Sequence, residues 1–213
     1  MTRTPVTGDH VIEAVAITAV ALGEGAEEAW SNQAGPMEAS CWDALAHLHN
    51  GLFSYALRLS APVPWMPGTP TILWERPGDL PLPIHFDRTE GPAAGIEVLT
   101  MMGGLVAVTV DARGPAERAW HIWGVADPEG FAAMGVVETL AHAFDLTQGL
   151  GVDFEAPEDL VAPALARLFP EAPLDTDPWR TLLWATGRGE LEGFARRGPD
   201  WSWHAAPLEE TAG

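Results

Sequence analysis

The sequence contains no lysine, so its 11 basic residues are all arginines, and they stand against 30 aspartates and glutamates. The resulting formal charge of −19 repels nucleic-acid phosphates and anionic lipid head groups. We therefore expect no nucleic-acid partner and no membrane partner. The acidic residues are spread evenly along the chain, which is typical of a solvated surface that keeps a protein soluble.

Cysteine is almost as scarce, because Cys41 is the single example. One thiol cannot form an internal disulfide, which fits a reducing cytoplasm, and Cys41 lacks a catalytic signature, so we interpret it as inert. The apolar run at residues 11–22 is interrupted by Glu13 and does not predict a secretion signal. The run at residues 98–110 is shorter than the roughly 20 residues that cross a bilayer. We predict a soluble, cytoplasmic protein.

Tryptophan, glycine and proline are abundant, with 10, 22 and 19 copies, and 47% of the residues are apolar. This composition argues against disorder and predicts many defined helix ends and ordered loops. At 213 residues the chain can bury a real hydrophobic core. We predict a globular protein with one large domain and a small C-terminal addition.

Helical spacing of apolar residues marks six segments. The predicted helices cover residues 9–30, 40–60, 89–111, 127 to 149 or 151, 157–169 and 178–186. Asp9, Asp127 and Asp177 are the predicted N-caps of three of them. Residues 89–111 are ambiguous, because their β-branched end suits a strand while their length suits a helix; we predict a helix.

Two other segments lack a sustained helical period. The proline-rich residues 61–88 predict an ordered excursion that includes a short extended piece at residues 71–75. The alternation around Trp201 and Trp203 predicts an extended tail over residues 200–207.

Glu138 and His142 are four residues apart on the fourth predicted helix, so their side chains project from one face and can close on a single ion. Asp145 joins that face one turn later. Such a pair also occurs by chance on many exposed helices, so a metal site needs a third ligand from elsewhere in the chain.

The second predicted helix offers two histidines for this role. His47 lies on its polar arc, whereas His49 lies about 200° away in the apolar arc, which favours a packed histidine. A catalytic site needs three protein ligands and one open position, and His47 would complete that set. The helical wheel by itself leaves the reverse assignment of His47 and His49 open.

Two segments around these residues resemble known proteins. Residues 41–48, CWDALAHL, look like the Trp-x-x-x-Asp-x-x-x-His-Leu segment of the first metal-bearing helix of DinB-like proteins, with Trp and Asp adjacent here. Residues 121–152, HIWGVADPEGFAAMGVVETLAHAFDLTQGLGV, resemble the mycothiol-dependent maleylpyruvate isomerase group, in which a glutamate and a histidine four apart supply metal ligands. The resemblance implies that His47, Glu138 and His142 are the three metal ligands.

The same resemblance implies a mainly α fold, with a DinB-like four-helix bundle over residues 1–152. Residues 153–213 would form a C-terminal extension, with helices and a short extended segment, that packs on the bundle. The implied cofactors are a divalent metal, expected to be zinc, and mycothiol or a similar low-molecular-weight thiol. Bound to the metal, the thiol would ionise and attack a small electrophilic substrate at neutral pH. This predicts a mycothiol-dependent S-transferase or a maleylpyruvate isomerase-like enzyme.

Two other interpretations of the sequence remain open. The metal could activate water in a hydrolase, or the protein could be a non-catalytic binding or protective protein that holds a small molecule. All three predict a small-molecule partner, and the sequence is compatible with a homodimer.

Four further residues are candidates for supporting roles. Asp43 could accept a hydrogen bond from His47, and Asp145 or Arg58 could line the cleft. His121, in the loop before the fourth helix, could reach the site, although a histidine between tryptophans is more often packed. Asp43, Asp145 and Arg58 could equally be ordinary surface residues.

Overall fold

The computed structural model describes residues 3–61, 84–198 and 200–208. Within these residues the chain forms six α-helices, two 3₁₀ helices and one antiparallel hairpin, which confirms the mainly α class. The α-helices are α1 (Gly8–Gly23), α2 (Cys41–Ser60), α3 (Pro92–Asp111), α4 (Pro128–Leu150), α5 (Glu158–Leu168) and α6 (Pro178–Ala185). The 3₁₀ helices are Glu27–Ser31 and Arg88–Glu90, and the strands are β1 (Ala119–His121) and β2 (Gly124–Ala126).

Polar caps and special backbone residues fix where the site-bearing helices begin and end. The Ser40 hydroxyl accepts a hydrogen bond from the Asp43 amide at 3.2 Å and starts α2. The Asp127 carboxylate accepts from the Gly130 amide at 2.8 Å and starts α4. At the other end of α4, Gly151 has a φ of 71°, a left-handed conformation that glycine adopts without strain. The predicted N-caps Asp127 and Asp177 are confirmed.

The first predicted helix is wrong at both ends. α1 ends at Gly23, and the residues that follow it include the separate 3₁₀ helix Glu27–Ser31. Its N-cap is Thr7, not Asp9, and the Thr7 amide donates to Nδ1 of His10 at 3.1 Å. Glycines at positions 23 and 25 lower the helix propensity enough to end the helix here.

The four longest helices pack around one core. Both α1 and α2 pack against α3 and α4, and α5 packs along α4 with α6 against α5. Most residues of α4 are buried, so this helix lies at the centre of the molecule. The boundary predicted at residue 152 stays a prediction.

One helix in the described ranges, α3, is long and apolar enough to cross a membrane by length and composition alone. It spans 20 residues, so the helix is longer than the apolar run at residues 98–110. About a third of its most apolar window is buried, and it packs against α1, α2 and α4. This packing is consistent with a soluble protein, while a cytoplasmic location stays a prediction.

Three smaller sequence expectations have different outcomes. The extended piece predicted at residues 71–75 lies outside the described residues. His121, expected in a loop, belongs to strand β1, which pairs with β2. Residues 200–207 form no strand within the described part of the chain, but Trp203 is buried and the His204 amide donates to the Leu168 carbonyl at 2.7 Å.

Asn50 on α2 is buried although its side chain is polar. Its side-chain amide donates to the Ile84 carbonyl at 3.0 Å and accepts from the Ile84 amide at 2.8 Å. A buried amide is stable when its hydrogen-bonding groups are paired in this way. Asn50 therefore attaches the chain at Ile84 to α2.

Candidate metal centre

Three potential metal ligands converge between α2 and α4. His47 lies on α2, Glu138 and His142 lie on α4, and one ligand atom from each lies within 4.8 Å of the other two. Oε1 of Glu138 is 3.5 Å from Nε2 of His47 and 3.4 Å from Nε2 of His142. We call these three residues the ligand cluster. This group could hold a metal ion.

The spacing of the ligand cluster suits a small divalent cation. Ligand distances of about 2.0–2.2 Å in a tetrahedral site place neighbouring ligand atoms about 3.3–3.6 Å apart. Both separations from Glu138 Oε1 fall in this range. Two imidazoles and one carboxylate are also a donor set that zinc accepts. This donor set and these two separations therefore fit a divalent metal ion.

Access to the cluster comes from the side of His47. Its side chain is 52% exposed, compared with 14% for Glu138 and 9% for His142. A cation held by these three residues would thus be anchored from the protein interior and reachable from solvent. Three protein ligands on an accessible ion would leave a fourth coordination position for water or substrate, as in catalytic sites.

His49 is excluded from the cluster by its position. Its ring is fully buried, with Nε2 hydrogen-bonded to the Gly95 carbonyl at 2.9 Å and its ring centroid 5.5 Å from that of Phe86. Burial lowers the pKa of His49 to about 4, although the bond to Gly95 opposes this shift. The choice that the helical wheel left open is therefore resolved, with His47 facing Glu138 and His49 packed in the core.

A glycine lets α2 lie close to the Glu138 side chain. Gly51 is one turn after His47, and a Cβ atom there would lie 3.3 Å from Oε1 of Glu138. Such a contact is tighter than nine in ten real Cβ contacts, so a larger residue would require the carboxylate to shift by a few tenths of an ångström. The absence of a side chain at position 51 thus preserves the space in which Glu138 meets the two histidines.

The two carboxylate oxygens of Glu138 have different partners. Oε1 faces the histidines, whereas Oε2 accepts a hydrogen bond from the Tyr55 hydroxyl at 3.4 Å. Burial would raise the pKa of Glu138, but hydrogen bonds to His142 and His47 lower it well below its usual range. The pKa of Tyr55 is raised by burial and by the Glu138 charge. Tyr55 therefore stays protonated and donates, which orients Oε1 toward the cluster.

The His142 ring is fixed from the side opposite Glu138. Its Nδ1 lies 3.1 Å from Oδ2 of Asp145, whose side chain is fully buried. Burial would lower the pKa of His142, but Asp145 and Glu138 together raise it to about 9. Because the Asp145 carboxylate is ionised, Nδ1 keeps its hydrogen, and Nε2 is the nitrogen that can bind a metal once it gives up its own proton.

Arg188 completes this arrangement from beyond the bundle. Its Nε donates to Oδ1 of Asp145 at 2.9 Å, and its Nη2 donates to Oδ2 at 2.6 Å. Burial would raise the pKa of Asp145, but hydrogen bonds with His142 and Arg188 lower it. The prediction that Asp145 lies on the site face agrees with this contact, while its specific role is to support His142.

The expected role of Asp43 is wrong, whereas that of Arg58 stays a prediction. Asp43 does not hold His47, because its carboxylate pairs with Arg88 at 2.5 Å and with the Ser40 hydroxyl at 2.6 Å. This ion pair attaches the start of α2 to the 3₁₀ helix Arg88–Glu90, which precedes α3. Arg58 donates to the Trp120 carbonyl at 2.9 Å, and its guanidinium lies 5.1 Å from the centre of the Trp120 ring.

His121 is packed beside the site and is not a member of the ligand cluster. Its ring lies 5.8 Å from Tyr55 and 5.4 Å from Trp203, and its Nδ1 accepts from the Trp123 amide at 3.3 Å. Burial, helped by the positive charge of Arg58, lowers the pKa of His121 to about 4. The ring is therefore neutral and lies in an aromatic group next to Tyr55.

Cys41 shows the features of a structural thiol. It is fully buried, and its Sγ lies 3.7 Å from the Leu146 carbonyl. Burial raises its pKa, which suppresses the thiolate form that a nucleophile requires. The structure agrees with the inert role expected from the sequence.

Gly51, Tyr55 and Arg188 were missed by sequence reasoning. The Tyr55 ring packs against Phe131, as an apolar residue would, but the hydroxyl at its end reaches Glu138. Gly51 is one turn from His47, so this spacing could have suggested a contact with the site. Arg188 had no local signal, because it lies 43 residues beyond Asp145.

Comparison with known proteins gives no relative. No family model, no curated protein and no solved structure matches the chain.

Proposed function

We propose that the protein binds a divalent metal ion through His47, Glu138 and His142, and that this ion is zinc. The observation that carries this proposal is the convergence of three ligand atoms within 4.8 Å, from two helices that are distant in sequence. The surroundings support it, because Tyr55 holds one ligand and Asp145 holds another in the orientation that a metal needs.

We further propose a DinB-like enzyme of the mycothiol-dependent maleylpyruvate isomerase type, acting on a small electrophilic substrate. Residues 121–152, which resemble that group, contribute Glu138 and His142, and residues 41–48 contribute His47. The packing of α1 and α2 against both α3 and α4 is compatible with such a bundle. The metal, when bound, would hold a low-molecular-weight thiol as its thiolate.

The chain's own groups would position the reacting molecules. His47 borders solvent and leaves an approach for a thiol and its electrophile, while Glu138 and His142 anchor the site from the interior. Tyr55 contacts Glu138 from the interior and His121 packs beside Tyr55, and both side chains are neutral near pH 7. A metal ion at the cluster would then attract an anionic thiolate.

A metal-dependent hydrolase is a second candidate, favoured by the donor set itself. Two histidines and a glutamate with an open position are also the ligands of zinc enzymes that activate water. The two candidates differ in whether turnover needs a thiol. Product formation from an electrophile only when mycothiol is present supports the transferase or isomerase, and cleavage of esters or amides without thiol supports the hydrolase.

Elemental analysis tests the metal proposal before any substrate is known. Purified wild type, reconstituted with zinc and then desalted, should retain about one equivalent, and His142→Ala should retain almost none. His10→Ala is the matched control, because His10 lies in the first turn of α1 and bonds to Thr7. It should retain zinc like wild type. Zinc-free wild-type protein after reconstitution contradicts the proposal and leaves the three residues as a hydrogen-bonded network.

A further inference from the structure

Asp145 connects two parts of the molecule that the sequence separates. Its carboxylate lies on α4, one turn after His142, and is completely buried. One oxygen, Oδ2, accepts from the His142 ring, while Nε and Nη2 of Arg188 reach both oxygens. Arg188 follows α6 in the C-terminal part of the chain, so this part contacts the support of a ligand that belongs to α4.

The two hydrogen bonds from the Arg188 guanidinium stabilise the buried Asp145 carboxylate more fully than His142 alone can. A buried carboxylate is stable as an anion only when its lone pairs are hydrogen-bonded and its charge is compensated. The His142 ring supplies one hydrogen bond and becomes formally neutral when its Nε2 binds a metal. Arg188 then supplies the compensating charge, and its planar guanidinium holds the carboxylate in one orientation.

The backbone around Arg188 fixes the direction of its side chain. Gly187 has a φ of 72°, which reverses the chain after α6, and a Cβ there would also approach Trp201 to 3.2 Å. The Arg188 amide donates to the Leu183 carbonyl at 2.7 Å, and Nη1 donates to the Thr186 carbonyl at 3.1 Å. The guanidinium thus reaches Asp145 from a closed turn and not from a loose loop.

The other side of Asp145 is closed by the segment before α2. Gly35 has a φ of 46°, and a Cβ there would lie 3.1 Å from the Asp145 Cα. Backbone therefore covers Asp145 at close contact, so water has little access to replace Arg188 as a partner. Loss of the guanidinium would leave a buried charge without compensation, and the carboxylate would have to rotate or take up a proton.

From these contacts we infer that Arg188 is a positioning residue of the proposed metal centre, acting through Asp145 on His142. The inference rests on the proposed metal binding and adds that the turn after α6 completes the site. A purely structural Arg188 would attach the C-terminal part to α4 and leave the metal affinity of the folded protein unchanged. A positioning Arg188 changes the affinity and the coordination geometry of the bound metal.

Zinc affinity measured by competition with a chromophoric chelator distinguishes these roles. Arg188→Gln and Asp145→Asn should each weaken zinc binding by about 10–100-fold, the usual range for residues that orient a metal-binding histidine. Arg188→Lys keeps the charge but lacks the fork, so its affinity should lie between those of wild type and Arg188→Gln. Arg180→Gln removes the same charge from an exposed position on α6 and should bind zinc like wild type.

Cobalt(II) provides a readout that stability alone would not change. The visible absorption of Co²⁺ in Arg188→Gln should differ from wild type in band position or intensity, and Arg180→Gln should reproduce the wild-type spectrum. Circular dichroism shows which variants are folded. Arg188→Lys carries the comparison if Arg188→Gln does not fold.

The outcomes separate the two proposals. Wild type that binds neither zinc nor cobalt overturns the metal centre and the role of Arg188 with it. Wild type that binds zinc, together with a folded Arg188→Gln or Arg188→Lys of equal affinity and identical cobalt spectrum, overturns the role of Arg188 alone. Weaker binding in Arg188→Gln with partial recovery in Arg188→Lys supports it.

Discussion

His47 and His49 lie two residues apart on α2 and have opposite environments. The His47 side chain is 52% exposed and meets Glu138, whereas His49 is fully buried between the Gly95 carbonyl and the Phe86 ring. The rotation of about 200° between them places one at the contact with α4 and the other at the contact with α3. Histidine is therefore a candidate metal ligand on one side of α2, at His47, and a core residue on the other, at His49.

The difference also shows which contacts give a histidine a ligand's properties. On the His47 side, a carboxylate oxygen is shared with a second histidine, and Tyr55 holds the other oxygen. On the His49 side, a single backbone carbonyl occupies Nε2, and Nδ1 has no hydrogen-bond partner among the described residues. Only the first environment offers the converging donors that a cation needs.

The largest expected effect comes from removing each of these two histidines in turn. His47→Ala should weaken zinc affinity by about a hundredfold or more, because direct ligands matter at least as much as the residues that orient them. His49→Ala should leave zinc affinity within about threefold but lower the free energy of unfolding by about 2–4 kcal/mol, because it empties a buried site. Chelator competition and urea denaturation measure the two quantities. Zinc loss in His49→Ala with retention in His47→Ala would reverse the assignment.

A second, smaller effect depends on pH. The pKa of His49 is about 4 in the folded protein and close to 6.5 in the unfolded chain, so the unfolded state binds this proton first on acidification. The free energy of unfolding should therefore fall between about pH 6.5 and pH 4, by up to about 1.4 kcal/mol per pH unit from this group.

His49→Phe isolates this contribution because phenylalanine does not titrate. The stability of wild type relative to His49→Phe should decrease as the pH falls from 7 to 5, in denaturation curves recorded without metal. A constant difference over this range would show that His49 keeps an ordinary pKa in the folded protein. The sign follows from the lowered folded-state pKa, since the cost of keeping the ring neutral appears only below the unfolded pKa.

The smallest expected effect separates site geometry from helix stability. Gly51→Ala and Gly104→Ala each place alanine inside a helix and should stabilise the fold by up to about 1 kcal/mol. A Cβ at position 51 crowds Glu138 Oε1 at 3.3 Å, whereas a Cβ at position 104 meets nothing within 4 Å. Only Gly51→Ala should weaken zinc binding, by about tenfold or less. Equal zinc affinity in both variants would show that the Glu138 carboxylate accommodates the extra methyl group.

The sequence predicted those features that depend on local periodicity and capping. The helices of α2 and α4 were found from their apolar spacing, and the caps Asp127 and Asp177 were confirmed. The pairing of Glu138 with His142 follows from a separation of four residues. The choice between His47 and His49 needed the direction in which α2 packs, which the wheel suggested and the contact with Glu138 resolved.

Features that depend on contacts between distant segments were not predictable in this way. Arg188 reaches Asp145 through a turn whose position depends on how α6 packs, and no periodic pattern encodes that approach. Asp43 was predicted to contact His47 because the two residues are four apart on one helix. The Asp43 carboxylate instead pairs with the charged guanidinium of Arg88. The burial of Asn50 depends on the backbone of Ile84, 34 residues away, which pairs with both ends of its side-chain amide.

The most direct test is X-ray diffraction from zinc-loaded crystals at energies on either side of the zinc absorption edge. The account predicts one strong anomalous peak about 2.0–2.2 Å from Nε2 of His47, Oε1 of Glu138 and Nε2 of His142. The Asp145 carboxylate should remain between His142 and Arg188 in that structure. Zinc bound elsewhere, or full zinc loading in solution with no peak among these three residues, would contradict it.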